Sequence, residues 1–178
     1  MALVHPVRAW WDVPPAWRDT PVGDLLAYQN LGRPHVRPDA PTLLVGTCMD
    51  GRIQLHLPRG FAFVLRTAGA NLDAVAGNVS YVLATKGVKY VAVVTHTGCG
   101  AVRLGDRQAE VVSGLVDCGW PHERARRHVE EDVVPHGIDD PVAFAHREAH
   151  RVESVYRGVR AAPLLYDTAE GTLALVVG

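Results

Sequence analysis

Apolar positions along the chain fall into short blocks parted by turn residues, and the blocks have two periodicities. Thr42 to Val45, Phe61 to Leu65 and Tyr90 to Val94 are unbroken apolar runs of strand length. From Ala74 to Lys86 the apolar residues recur instead at Val75, Val79, Val82 and Leu83, the spacing of one helix face, and Gly87 supplies the stop. A succession of strand, strand, helix and strand predicts a mostly parallel central sheet flanked by helices. In such sheets ligands gather at the C-terminal ends of the strands.

The flanking segments extend this α/β pattern. Val22 to Leu31 predicts a short helix with Asp24 in its first turn, ended by Gly32-Arg33-Pro34. Gly100 to Leu104 is expected to open another helix, and His122 to Val134 a strongly charged one closed by Pro135. Asp139-Asp140-Pro141 combines an N-cap with proline at the first helical position, starting a helix to about Arg157. Leu164 to Tyr166 and Thr172 to Val177, on either side of the turn Asp167 to Gly171, predict a C-terminal β-hairpin.

Residues 1–21 have a different character. Pro6, Pro14, Pro15 and Pro21 rule out a continuous helix, while Trp10, Trp11 and Trp17 carry too much apolar area to leave in water. This predicts an N-terminal arm packed against something, followed by a single α/β domain over residues 22–178. The support is either its own domain or a partner subunit, and with the domain's own helices covering its sheet a partner subunit across a two-fold interface is the expectation.

Composition narrows the class. At 178 residues the chain suits one well-buried domain. A formal net charge of −1 gives no footprint for nucleic acid or an anionic membrane surface. No apolar run approaches the ~18 residues that span a bilayer, and the Trp- and Pro-containing start lacks the apolar stretch of a signal peptide. Three cysteines, an odd number, argue against a disulfide framework. A cytoplasmic enzyme is the expectation.

The chemistry sits where two of the apolar runs end. TLLVGTCMDGR presents Cys48, Asp50 and Arg52, and VKYVAVVTHTGCGAV presents His96 and Cys99. Zinc prefers thiolate and imidazole, and a catalytic site uses three such ligands with one open position. Cys48, His96 and Cys99 supply that set if the parallel sheet brings the two strand ends together. The alternative is that both cysteines are buried small hydrophobes and His96 an ordinary loop histidine. Asp50 is available as a fourth ligand in a closed state, or Arg52 holds it off the metal in fork geometry. A helix starting near Cys99 would favour its thiolate. Cys118 and the histidines of the charged helices carry no such context.

In this order and spacing the motifs resemble those of the β-class carbonic anhydrases, whose pattern is C-x-D-S-R followed by H-x-x-C-G. FAFVLRTAGANL is similar to that family's strand and R-N-A-G loop, and LLYDTAEGTL to its closing hairpin. The resemblance covers most of the chain from Leu43 onward. It implies one Zn2+ per chain on Cys48, His96 and Cys99, with Asp50 and Arg52 as a catalytic dyad. It also implies reversible hydration of CO2 to bicarbonate by metal-activated hydroxide, in a homodimer or a higher oligomer of dimers. Related members of the superfamily act on CS2 or COS with the same ligands. The chain departs from the pattern at Gly51 (usually Ser), Thr67 (Asn) and Thr95 (Gly). The remaining alternatives are a non-catalytic zinc protein that binds or senses bicarbonate, closed by Asp50, and an interaction module built on the Trp/Pro arm.

Overall fold

The computed structural model describes residues 2–178. Strands β1 (Leu3–Pro6), β2 (Leu43–Cys48), β3 (Ala62–Thr67), β4 (Tyr90–His96), β5 (Arg160–Asp167) and β6 (Thr172–Val177) form one sheet in the order β1-β6-β5-β4-β2-β3. The four from β3 to β5 in that order run parallel, and the β5–β6 hairpin and β1 add two antiparallel strands. The mostly parallel sheet and the closing hairpin are therefore both present.

Each face of the sheet is covered. Leu43, Val45, Ala92, Val94 and Leu164 pack on Val22, Leu25 and Leu26 of helix α2 (Pro21–Asn30), which follows the single turn α1 (Pro15–Arg18). On the other face Leu44, Val91, Val93 and Ala161 meet Val79, Val82 and Leu83 of α3 (Ala76–Lys86) and Ala149 and Val152 of α6 (Pro141–Val155). Burial on both faces explains why β2 and β4 read as continuous apolar runs. Helix boundaries follow their caps. The Thr20 side chain accepts from the Gly23 amide, Asp140 accepts from Ala143 at 2.7 Å, and Gly87 ends α3 at φ 69°.

Two expectations need correction. No helix opens at Gly100. Arg103 N donates to Ile138 O at 2.9 Å and Ile138 N to Ala101 O at 3.0 Å, so the backbone that would start a helix pairs with a distant segment instead. A 3₁₀ turn at Leu104–Arg107 and helix α4 (Gln108–Asp117) come only afterwards. The charged helix after it divides into α5 (His122–His128), a π turn at Val129–Val133 and a 3₁₀ turn across Pro135.

The second correction concerns the arm's support. Residues 3–6 hydrogen-bond to β6 of the same chain, and Val7 and Val13 are buried in its core. Trp10 and Trp17 pack on the same core, beneath the guanidinium groups of Arg33 and Arg160 at 4.5 and 4.3 Å from the ring centres. Only Trp11 is left out, at 78% exposed. The premise that the domain lacks free surface fails because the β6 edge and the α2 side were both open.

Candidate metal centre

Strands β2 and β4 are parallel neighbours, so their C-terminal ends lie side by side. Cys48 ends the first and His96 the second. After His96 the chain reverses at Gly98, whose φ of 65° suits glycine, and Cys99 turns back towards the same point. The Cys48 Sγ, His96 and Cys99 Sγ donor atoms lie within 4.8 Å of one another, and all three residues are buried. The structure thus brings together the three residues that the spacing singled out.

The donors fit a metal. The two sulfurs stand 3.9 Å apart, against about 3.8 Å for two thiolates bound tetrahedrally at ~2.3 Å each. His96 Nδ1 lies 3.0 Å from the Thr97 carbonyl, which can only accept, so Nδ1 carries the proton and Nε2 keeps its lone pair. That Nε2 is buried with no hydrogen-bond partner among the described residues. A buried imidazole nitrogen facing two thiols without a partner is a costly arrangement unless something occupies the space between them.

The thiols share their protons unequally. The hydrogen bond from Cys99 pushes the Cys48 thiol down, helped by the backbone amides of Asp50 and Gly69. The same contact, together with burial, pushes Cys99 up. The pair therefore gives up its first proton readily and its second reluctantly. The Ala101 amide, rather than a helix N-terminus, supports the Cys99 thiolate.

Asp50 and Arg52 pair in a fork. Arg52 Nε donates to Oδ1 at 3.0 Å and Nη2 to Oδ2 at 2.7 Å, while the Arg52 backbone amide donates to Oδ1 at 2.9 Å. Nη2 also reaches the Gly98 carbonyl at 2.9 Å, fastening the dyad to the turn between His96 and Cys99. Asp50 Oδ2 is 3.9 Å from His96 Nε2. The side chain of Arg52 holds the Asp50 carboxyl well below the usual carboxylate range.

Two supporting groups went unnoticed in the sequence. Arg66 donates to the carbonyls of Cys48 (3.0 Å) and Ile53 (3.2 Å), clamping both ends of the loop that carries Asp50 and Arg52. Gln29 of α2 ties the same loop further on, through Gln54 O at 3.3 Å and His56 N at 2.8 Å. A charge at the end of a strand run was the available signal for Arg66. Gln29 gave none. Beside Cys48 and Asp50 opens a pocket of about 300 Å³ whose remaining wall is apolar, with Ala68, Ala101, Leu104 and Val133 among its lining.

The sequence profile of the carbonic anhydrase family matches residues 43–178. The chain belongs to that family, in its β class. Among solved structures it is similar to the β-carbonic anhydrase isoform I of Trichomonas vaginalis, with 17% identity, 82% of this chain and 88% of that one covered, and a TM-score of 0.64. The carbonic anhydrase of Glaciozyma antarctica matches at 21% identity and TM-score 0.60, over 90% and 97% of the two chains. The apo form of a carbon disulfide hydrolase matches at 20% identity and TM-score 0.59, over 77% and 79%. No curated protein matches.

Proposed function

We propose that the chain is a zinc enzyme that reversibly hydrates CO2 to bicarbonate, with the ion held by Cys48 Sγ, His96 Nε2 and Cys99 Sγ. The observation that carries this reading is the buried, unpartnered Nε2 of His96, facing two thiols and lying 3.9 Å from a carboxylate that Arg52 pins. Bound Zn2+ would supply a Lewis acid that makes water nucleophilic near neutral pH.

The protein's own groups do the rest. Both lone pairs facing Arg52 are engaged, so Asp50 is held as an acceptor that orients an incoming water through a remaining lone pair. Its depressed pKa keeps it ionised, so it positions the proton of that water without storing it. The Thr97 carbonyl fixes the imidazole tautomer. The apolar wall at Ala101, Leu104 and Val133 accepts an uncharged linear molecule and offers bicarbonate no partner. Arg52, half-exposed, gives the anion a polar way out.

The same apolar wall favours a second reading, hydrolysis of CS2 or COS at this site, and the fold shared with a carbon disulfide hydrolase fits it. With Asp50 held by Arg52 in the structure, a permanently closed sensor is the less favoured reading. A homodimer belongs to the proposal: β3 is one of the sheet's two edge strands, and its free backbone side is available to a second copy. Two reduced thiols as ligands suit a cytoplasmic setting. X-ray absorption on metal-quantified protein, with hydration and sulfur-substrate assays on one preparation, tests the reading. Two sulfurs at about 2.3 Å and CO2 turnover support it. Turnover of CS2 or COS alone transfers the site to the second reading.

A further inference from the structure

The turn that joins β5 to β6 carries none of the three candidate donors, yet it holds the residue next to one of them. On β5, Tyr166 is the register partner of His96, and its carbonyl accepts the Thr97 backbone amide at 3.0 Å. Two residues on, Thr168 meets Thr97 at three points. The Thr168 amide donates to Thr97 Oγ1 at 3.0 Å, the two hydroxyl oxygens lie 3.0 Å apart, and Thr168 Oγ1 reaches the Thr97 carbonyl at 3.4 Å.

One placement of protons serves both hydroxyls. Thr97 Oγ1 already accepts from the Thr168 amide, so its own hydrogen goes to Thr168 Oγ1, and the Thr168 hydrogen goes to the Thr97 carbonyl. That carbonyl is the group that accepts His96 Nδ1–H at 3.0 Å. Its two lone pairs are then both engaged, one by the ring and one by Thr168. The carbonyl sits on a chain reversal, with Gly98 at φ 65° directly after it, where the peptide plane is free to rotate unless something holds it. The ring depends on that hold. A His96 ring turned away from the carbonyl would bury a second nitrogen without a partner, so ring and carbonyl move together.

We infer that Thr168 is a positioning residue for His96: from the closing hairpin it fixes the Thr97 carbonyl, and through that carbonyl the ring orientation that offers Nε2 to the two thiols. The effect on a bound ion rests on the zinc reading, whereas the effect on the ring rests on the hydrogen bonds alone. The turn itself does not need the hydroxyl. Asp167 Oδ1 accepts the amides of Ala169 and Glu170 at 2.8 and 3.2 Å, and Gly171 N donates to Asp167 O at 2.8 Å. Thr168 is half-buried, outside the apolar core, so replacing it opens no cavity there.

The test compares Thr168→Val, which keeps the shape and loses the hydroxyl, with Thr168→Ser, which keeps the hydroxyl and loses a methyl group. Thr168→Ala replaces the valine variant should valine crowd the turn. Zinc affinity of the full chain is read by competition with a chromophoric chelator at one fixed pH, and the ring by crystal structures of the metal-free protein. Thr168→Val is expected to weaken zinc binding by about tenfold, the lower end for a lost partner behind a metal-bound histidine. It should also move His96 Nδ1 beyond about 3.5 Å from the Thr97 carbonyl, out of hydrogen-bonding reach. Thr168→Ser is expected to hold the wild-type ring contact and an affinity within about twofold of wild type. An unchanged affinity or an unchanged ring contact in Thr168→Val, or equal losses in Thr168→Val and Thr168→Ser, overturns the proposal, because a merely structural role would not follow the hydroxyl. If the wild type takes up no zinc, the zinc reading falls, while the ring contact in the metal-free crystals still decides the role of Thr168.

Discussion

Asp50 Oδ2 and His96 Nε2 stand 3.9 Å apart, too far for a hydrogen bond and close enough to act on one small molecule. The carboxylate faces the imidazole without touching it because Arg52 holds both of its oxygens. Side chains from the ends of two neighbouring strands therefore enclose a space that neither fills.

Removing a donor from that space should abolish metal binding. Cys48→Ser, His96→Ala and Cys99→Ser should each bring zinc below about a tenth of an ion per chain after dialysis. Elemental analysis reads this directly. Because an ion bound only by the folded state adds RT ln(1 + [L]/Kd) to stability, chelation should also lower the melting temperature of the wild type.

The dyad should separate binding from turnover. Asp50→Asn and Arg52→Ala are expected to keep one zinc per chain while lowering kcat/KM for CO2 by about a hundredfold, the usual effect of losing one preorganised polar group. Near-wild-type turnover in either variant would remove Asp50 from the mechanism.

The thiol pair makes metal-free stability depend on pH in a defined direction. Cys48 is lowered from its ordinary 9.0 to about 5, so its contribution is fully present above the unfolded value and is lost as pH falls through about 5. Cys99 is raised, so its contribution is present below the unfolded value and is lost as pH climbs above it. Denaturant titrations of apo wild type and Cys48→Ser should show their difference shrinking from about pH 8 to pH 5. A difference that grows on acidification contradicts the proton sharing.

The candidate donor set was legible in the sequence because strand-ending turns with Cys or His announce themselves, and a parallel sheet brings such ends together. Cys48, His96 and Cys99 needed only the strand assignments to converge. The supports around them were not legible for a common reason. Arg66 acts on the carbonyls of Cys48 and Ile53, Thr97 on the His96 ring, and Thr168 on the Thr97 carbonyl, and backbone partners leave no trace in residue type. The missed start of α4 has the same origin, since pairing of the 101–103 backbone with Ile138 is a long-range event.

The N-terminal segment should behave as part of its own domain. Deleting residues 1–18 strips the β6 edge and uncovers the surface under Val7, Val13 and Trp17. At about 25 cal/mol per Å² of apolar area, that exposure is a loss of several kcal/mol. Thermal unfolding with light scattering should record a much lower melting temperature whatever the assembly state. An unchanged melting temperature would return the segment to the role of a loose arm.

The apolar wall should matter to the substrate and not to the ion. Val133→Asp or Leu104→Asp places a charge in the pocket and is expected to lower kcat/KM for CO2 by about tenfold or more at full zinc occupancy, as steady-state kinetics would show.

The most direct measurement is stopped-flow CO2 hydration during zinc titration of chelated protein, at about pH 8.5, where a thiolate-ligated site should be active. The predicted result is a rate that rises in proportion to zinc, stops rising at one ion per chain, and is absent from His96→Ala. Hydration that persists without zinc, or full occupancy with no hydration and no sulfur-substrate turnover, would contradict it.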